Sequence, residues 1–236
     1  MAPPSTADPE VASGWSAELF SDANPIEFFL DPARFAYACR TRDSMSLTLD
    51  SASPFGIALG PEPPLRAEWT GCIVGGSAST EQIGPLHRSD QWDFYTRPSA
   101  GSSPVRGLEV IVDDLVVRGF LERNAPASAV WPGDREIVAW FALRDQSREL
   151  ASISALVRWQ SGYHVISSVA TRLDARGRGF AGTLVNATLA NAHERGIAWL
   201  GLGVSHANVT AQRVYQRAGF ATRATSVTQV EDLDVR

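Results

Sequence analysis

The stretch Ser167-Ser168-Val169-Ala170-Thr171-Arg172-Leu173-Asp174-Ala175-Arg176-Gly177-Arg178-Gly179-Phe180-Ala181-Gly182 decides how this chain is read. Its first five residues close a strand-like run that begins near Tyr163. Beyond Arg176 the spacing becomes helical: Ala181, Leu184, Val185, Leu189 and Ala192 fall on one apolar stripe that lasts to Arg195. Between strand and helix, Arg and Gly alternate. Glycines at a helix entrance let its free N–H groups approach a ligand closely, and the dipole there favours an anion. Arg176 and Arg178 add charge-assisted donors for phosphate oxygens. A diphosphate is the expected guest.

Two other phosphate motifs compete for the same residues, and both fail. Gly177-x-Gly179-x-x-Gly182 satisfies the dinucleotide fingerprint, which needs an acidic residue at the end of the next strand. Here that strand ends in Val204, Ser205 and His206, with no acid. A Walker A loop needs a lysine, and every one of the 21 cationic residues is Arg. The same absence removes lysine nucleophiles and Schiff-base chemistry.

Working outward, Leu108–Val112 reads as a strand, and Asp113 or Asp114 caps a helix that ends before Pro126. Ala125–Asp134 is a loop carrying Trp131. Glu136–Leu143 and Leu150–Trp159 form a hairpin across a polar turn, and a second turn at Ser161-Gly162 leads into Tyr163–Thr171. After the long helix, Ile197–Val204 is strand-like. Asn208 caps a short helix whose Ala211, Val214, Tyr215 and Ala218 share a face and which Gly219 ends. Phe220–Val230 supplies a last strand. The order β-α-β-β-β-α-β-α-β predicts an α/β layer structure: a mixed, largely antiparallel sheet flanked by helices, with one parallel pair across the 176–195 helix.

The first hundred residues are less explicit. Residues 1–13 are rich in Pro, Ala and Ser and are predicted to be a disordered tail. Asp31–Arg42 holds Phe35, Ala36, Ala38 and Cys39 at near-helical spacing and is predicted as a helix. Ser46–Asp50, Phe55–Leu59 and Glu68–Val74 are predicted strands. Thr96–Gly107, rich in Pro, Ser and Gly, is predicted to be a linker. The expected organisation is a tail over 1–13, an N-terminal lobe over 14–100, a linker over 101–107 and the main domain over 108–236.

Composition bounds the function. The 236 residues are 44% hydrophobic and 20% charged with a net charge of −5, which fits a globular chain and argues against general nucleic-acid binding. Cys39 and Cys72 have no metal-ligand spacing, so no metal is expected and a reducing compartment is. The N-terminus lacks the cations and apolar run of a targeting peptide, and no apolar run spans a membrane. A cytoplasmic protein is expected.

The strand Ser167–Thr171 followed by Arg176-Gly177-Arg178-Gly179-Phe180-Ala181 resembles motif A of the GNAT superfamily of acyl-CoA-dependent N-acetyltransferases. Asn208, Ala211, Tyr215 and Gly219-Phe220 resemble its motif B, in the right order and spacing. The resemblance covers about 108–230, leaving the first part as an extension or degenerate lobe. It implies acetyl-CoA as cosubstrate and direct transfer of its acetyl group to an amine. It further implies a bulge near Val169, Ala170 and Thr171 facing the thioester, and a diphosphate cradle over Arg176, Gly177, Arg178, Gly179, Phe180, Ala181 and Gly182. Asn208 would bind near the cofactor's thiol end, and Tyr215 would donate to the departing thiolate. The acceptor would be a small-molecule or peptide amine, with no nucleic acid or membrane partner; a homodimer is compatible. The rival reading is a catalytically silent acyl-CoA-binding regulatory or scaffold protein of the same fold. Asp134, Glu136, Glu149 and His164 are the local candidates for a general base. Trp131 is the expected acceptor contact, Trp140 and Trp159 are expected to pack in the core, and Trp92, with Phe94 and Tyr95, would help roof the site.

Overall fold

The computed structural model describes residues 35–40, 44–49, 55–66, 69, 71–75 and 91–228. Strands β1 (Phe35–Arg40), β2 (Met45–Leu49), β3 (Phe55–Leu59), β4 (Gly71–Gly75) and β5 (Gln91–Pro98) come first. Then come β6 (Glu109–Ile111), helix α1 (Asp114–Asn124), β7 (Ile137–Arg144), β8 (Leu150–Arg158) and β9 (His164–Thr171). The chain ends through α2 (Phe180–Glu194), β10 (Trp199–Ser205), α3 (Val209–Arg217) and β11 (Ala221–Thr228). The predicted order after residue 107 is therefore the observed one. The predicted tail over 1–13 lies outside the described residues.

The chain divides into two compact units. One holds the described residues up to Tyr95 together with Gly203–Asn208 and those from Thr222 onward; the other holds Thr96–Leu202 and Val209–Ala221. The chain thus returns twice to the first unit after the 101–107 segment.

In the first unit the strands lie in the order β1-β2-β3-β4-β11. β3 and β4 are parallel, and the other pairs are antiparallel. The helix predicted over Asp31–Arg42 is corrected here: the described part, Phe35–Arg40, is a strand. The reason lies in its register. Phe35 faces Leu49 and Tyr37 faces Thr48, so β1 carries one extra residue at Ala36. Such a bulge breaks the two-residue alternation, and the broken pattern imitates helical spacing. Ala58, Trp69, Cys72 and Val74 form a buried cluster in this unit. The Trp69 indole N–H donates to Thr48 Oγ1 at 3.0 Å, and its ring lies where a Cβ on Gly56 would stand, 2.1 Å away. Only glycine fits there.

In the second unit the order is β10-β9-β8-β7-β6. β6, β7, β8 and β9 pair antiparallel as predicted, and β9 and β10 form the predicted parallel pair. Asp113 caps α1 by accepting from Leu115 and Val116 N–H, and Val117, Phe120 and Leu121 are its buried residues. α2 packs on β7, β8 and β9 through a face that includes Leu184, Val185 and Leu189. The start of the predicted linker is not a linker. Thr96–Pro98 completes β5, and Ser99 is fully buried, with its N–H on Ala198 O at 2.9 Å and its hydroxyl on Ile197 O at 2.5 Å.

Candidate functional site

β9 carries the first feature of the site. On β8, Ile153 and Ala155 are two residues apart; their partners on β9, Ala170 and Ser167, are three apart. The extra residue makes a bulge at Ser168–Val169, which overlaps at Val169 the Val169–Thr171 stretch implied by the resemblance and begins one residue before it. Ser168 takes φ +49, left-handed backbone that few residues other than glycine adopt. β10 pairs with β9 only where Leu200 faces His164 and Gly201 faces Val165. β9 runs on to Thr171, and its backbone edge past Val165 is left without a β10 partner. An amide-bearing ligand can pair with such an edge as a strand would. Ala170 O already accepts from Ser152 Oγ at 2.7 Å, and the Thr171 hydroxyl lies 3.0 Å from the same Ser152 oxygen. The Thr171 side chain therefore faces protein, and what it can offer a ligand is backbone.

Past a short 3-10 turn at Leu173–Ala175, the chain enters α2 through Gly177 at φ +74 and Gly179 at φ +84. Gly179 is the N-cap and supplies no side-chain acceptor, so the leading amides at Phe180, Ala181 and Gly182 are not capped by a side chain. Cβ atoms built on Gly177, Gly179 or Gly182 would meet nothing within 4 Å. The loop is therefore uncrowded at its three glycines, and the leading amides of α2 lack a side-chain acceptor, an arrangement that can hold a phosphate. Arg178 is exposed, with its guanidinium 5.4 Å from the Phe180 ring. Arg176 is also held within the protein. Its Nε donates to Thr171 O at 3.2 Å and one Nη to Asn124 O at 2.9 Å, so this side chain ties the loop to β9 and α1. Asn124 Oδ1 in turn accepts the Leu173 N–H at 3.2 Å.

Tyr215 lies in α3 with its ring buried, edge-on to Phe220 at 6.4 Å. Burial pushes its hydroxyl up to about 12, so it stays protonated throughout the physiological range. Gly219 at φ +81 ends α3, with Phe220 N–H returning to Tyr215 O. Asn208 directly precedes α3, and its N–H donates to Ser205 O at 2.9 Å.

The bulged strand and the glycine-rich helix entrance both lie inside the region that a family comparison matches. The family model described as the acetyltransferase (GNAT) family matches residues 88–220. The chain belongs to the GNAT acetyltransferase family. No curated protein matches it. Among solved structures, it is similar to a GCN5-related N-acetyltransferase from Kribbella flavida, with 14% identity over 97% of this chain and 98% of that one and a TM-score of 0.53. A GCN5-related N-acetyltransferase from Sphaerobacter thermophilus gives 15% identity, coverage of 81% and 79%, and a TM-score of 0.52. A GNAT-family protein from Novosphingobium aromaticivorans gives 18% identity, coverage of 80% and 75%, and a TM-score of 0.51. These likenesses establish the GNAT fold.

The other candidates from sequence are placed as follows. Asp134 Oδ2 accepts the Trp131 N–H at 2.8 Å, closing a turn of its own loop. Glu149 is bound to Arg172, and Glu136 is exposed. His164 sits at the start of β9, roughly 13 Å along the strand from Ser168 at about 3.3 Å per residue. Burial, helped by Arg158 and Arg195, holds its pKa below the ordinary imidazole value. None of the four stands out as a base at the bulge. Trp140 is buried as expected, and Trp159 is half-buried. Phe94 and Tyr95 are buried, while Trp92 is 43% exposed.

Two pairings escaped the sequence reading. In the second unit Ser168 is hydrogen-bonded to Val130, 38 positions away. In the first, Asp93 Oδ1 lies 2.7 Å from His206 Nε2 and accepts the Thr225 hydroxyl at 2.9 Å. No local spacing signals either. Among the described residues no cluster of His, Cys, Asp or Glu could hold a metal ion, and no helix is long and apolar enough to cross a membrane.

Proposed function

We propose that this GNAT-family protein is an acetyl-CoA-dependent N-acetyltransferase acting directly on a small-molecule or peptide amine, in the cytoplasm and without a metal. The observation that carries the reading is the glycine-rich entrance of α2, uncrowded at its glycines and with no side-chain cap on its leading amides, shortly after a bulged strand edge. The amides of Phe180, Ala181 and Gly182, with Arg178, would hold the diphosphate. The free edge of β9 would pair with the pantetheine amides and bring the thioester to Ser168–Val169. Backbone N–H groups there would polarise its carbonyl and steady the tetrahedral oxyanion.

The amine nitrogen attacks the carbonyl carbon, the C–S bond breaks, and the nitrogen loses a proton as the thiolate gains one. Tyr215 would donate a hydrogen bond to the departing sulfur. Outright proton transfer from a phenol held near 12 to a thiolate of an ordinary thiol, about 8.5, is uphill by roughly three to four pKa units. The proton the sulfur finally takes therefore comes from the ammonium formed on attack or from water. Asn208, adjoining α3, would bind near the thiol end.

The alternative, a silent acyl-CoA-binding regulator, differs in one respect: it binds without turnover. The test is release of free thiol from acetyl-CoA in the presence of a panel of amines. Amine-dependent release supports the enzyme. Calorimetric binding of acetyl-CoA with no release on any amine supports the silent protein.

A further inference from the structure

The loop between α1 and β7 has no regular structure from Ala125 to Glu136, yet it is fastened at several points. The Trp131 indole N–H donates to Ser128 O at 2.9 Å, and its backbone N–H is held by Asp134. Arg118 of α1 donates to Pro132 O at 3.1 Å and lies 6.0 Å from the Trp131 ring centroid. These contacts make the loop rigid and tie it to α1. They do not set where it stands against β9.

One residue does. The Ser168 hydroxyl donates to Val130 O at 2.9 Å and accepts Val130 N–H at 3.2 Å, so one side chain satisfies both backbone groups of one loop residue. A neighbouring strand would make the same pair of bonds. Ser168 reaches this position because the bulge puts it at φ +49, and among the described residues Arg148 is the one other non-glycine residue with positive φ. Backbone strain of this kind persists only where surrounding contacts hold it, and it gathers at functional sites.

We propose that Ser168 is a positioning residue that registers the Val130–Trp131 segment against the β9 bulge, fixing the surface that receives the acyl acceptor. The inference rests on the acetyltransferase reading above. Trp131 is half-buried beside this pin, so it presents part of an aromatic surface one residue from the point of attachment. Holding an acceptor within a fraction of an ångström of attack geometry is where such a pin acts.

The test uses the full chain and two variants. Ser168→Gly keeps the backbone at ease and removes the hydroxyl. Ser168→Asn also tolerates positive φ and can again offer a donor and an acceptor. Expected for Ser168→Gly are faster hydrogen exchange at the Val130 amide and a KM for the amine raised roughly tenfold, with a smaller change in acetyl-CoA affinity. Ser168→Asn is expected to recover part of both changes. Unchanged exchange at Val130, or unchanged amine KM despite faster exchange, would overturn the proposal, as would a loss confined to acetyl-CoA binding. Wild-type protein that turns over no amine would instead remove the reading beneath it.

Discussion

Tyr215 shows how burial decides chemistry at the scale of one residue. Its hydroxyl, raised to about 12, can donate a hydrogen bond but is a poor proton donor. Tyr215→Phe is therefore expected to lower kcat by roughly tenfold, the worth of one hydrogen bond to the departing sulfur rather than of a general acid, and to leave acetyl-CoA affinity unchanged. Steady-state kinetics beside calorimetry separates the two. The same shift has a stability consequence. A folded-state value above the unfolded 10 gives stability that is complete below pH 10 and lost as pH rises toward 12. The Phe variant is expected to lose less stability than wild type across that window, read from denaturant melts. Cys72 makes a comparable point: fully buried and pushed up to about 12, its thiol is expected to resist alkylation in the folded protein, while half-buried Cys39 reacts. At this scale the sequence was informative where neighbours are local. Gly177 and Gly179 were legible as the entrance of a helix because that depends on adjacent residues. The orientation of Arg176 was not, because its partner Asn124 lies 52 positions away.

Elements show the same division. The β7–β8 hairpin, α1 and α2 follow from periodicity and caps, whereas β1 was misread because its bulge at Ala36 spoils the alternation that identifies a strand. The entrance of α2 yields the sharpest element-level expectation. Gly179→Glu places a side chain at φ +84 and a negative charge where the proposed diphosphate site lies, and should weaken acetyl-CoA by at least roughly tenfold with the protein still folded. Equal calorimetric affinity in a folded variant would exclude the loop as the diphosphate site. The connection leading into α2 is anchored by Arg172, which pairs with Asp145 at 2.6 Å, Glu149 at 2.9 Å and Asp174 at 2.5 Å. The Arg172 hydrogen bond holds the Asp145 carboxyl below its usual range. Stability from a depressed carboxyl is present above its unfolded pKa and lost as pH falls through the folded one. Arg172→Ala should therefore lower the melting temperature most near neutrality, with the gap to wild type closing as Asp145 protonates in acid.

The molecule as a whole was legible from about residue 108 onward, where motif and periodicity agree, and poorly before it. Long-range pairing is the reason. Ser99, read as linker from composition, is held by Ile197 and Ala198, about a hundred positions away. Arg97 likewise donates to Asn186 Oδ1 at 3.4 Å and to Ala218 O. Limited proteolysis is thus expected to cut first within the largely exposed 101–107 segment and to spare Thr96–Ser99. A fragment beginning near Arg106, which lacks these bonds, should melt well below the intact chain. Under the proposed function the bulge of β9 and the entrance of α2 form one acyl-CoA site. A crystal structure of the intact protein with acetyl-CoA tests it most directly. The expected result has diphosphate oxygens within hydrogen-bond distance of the Phe180, Ala181 and Gly182 amides and the thioester beside Ser168–Val169; a cofactor bound elsewhere, with that loop vacant, would contradict it.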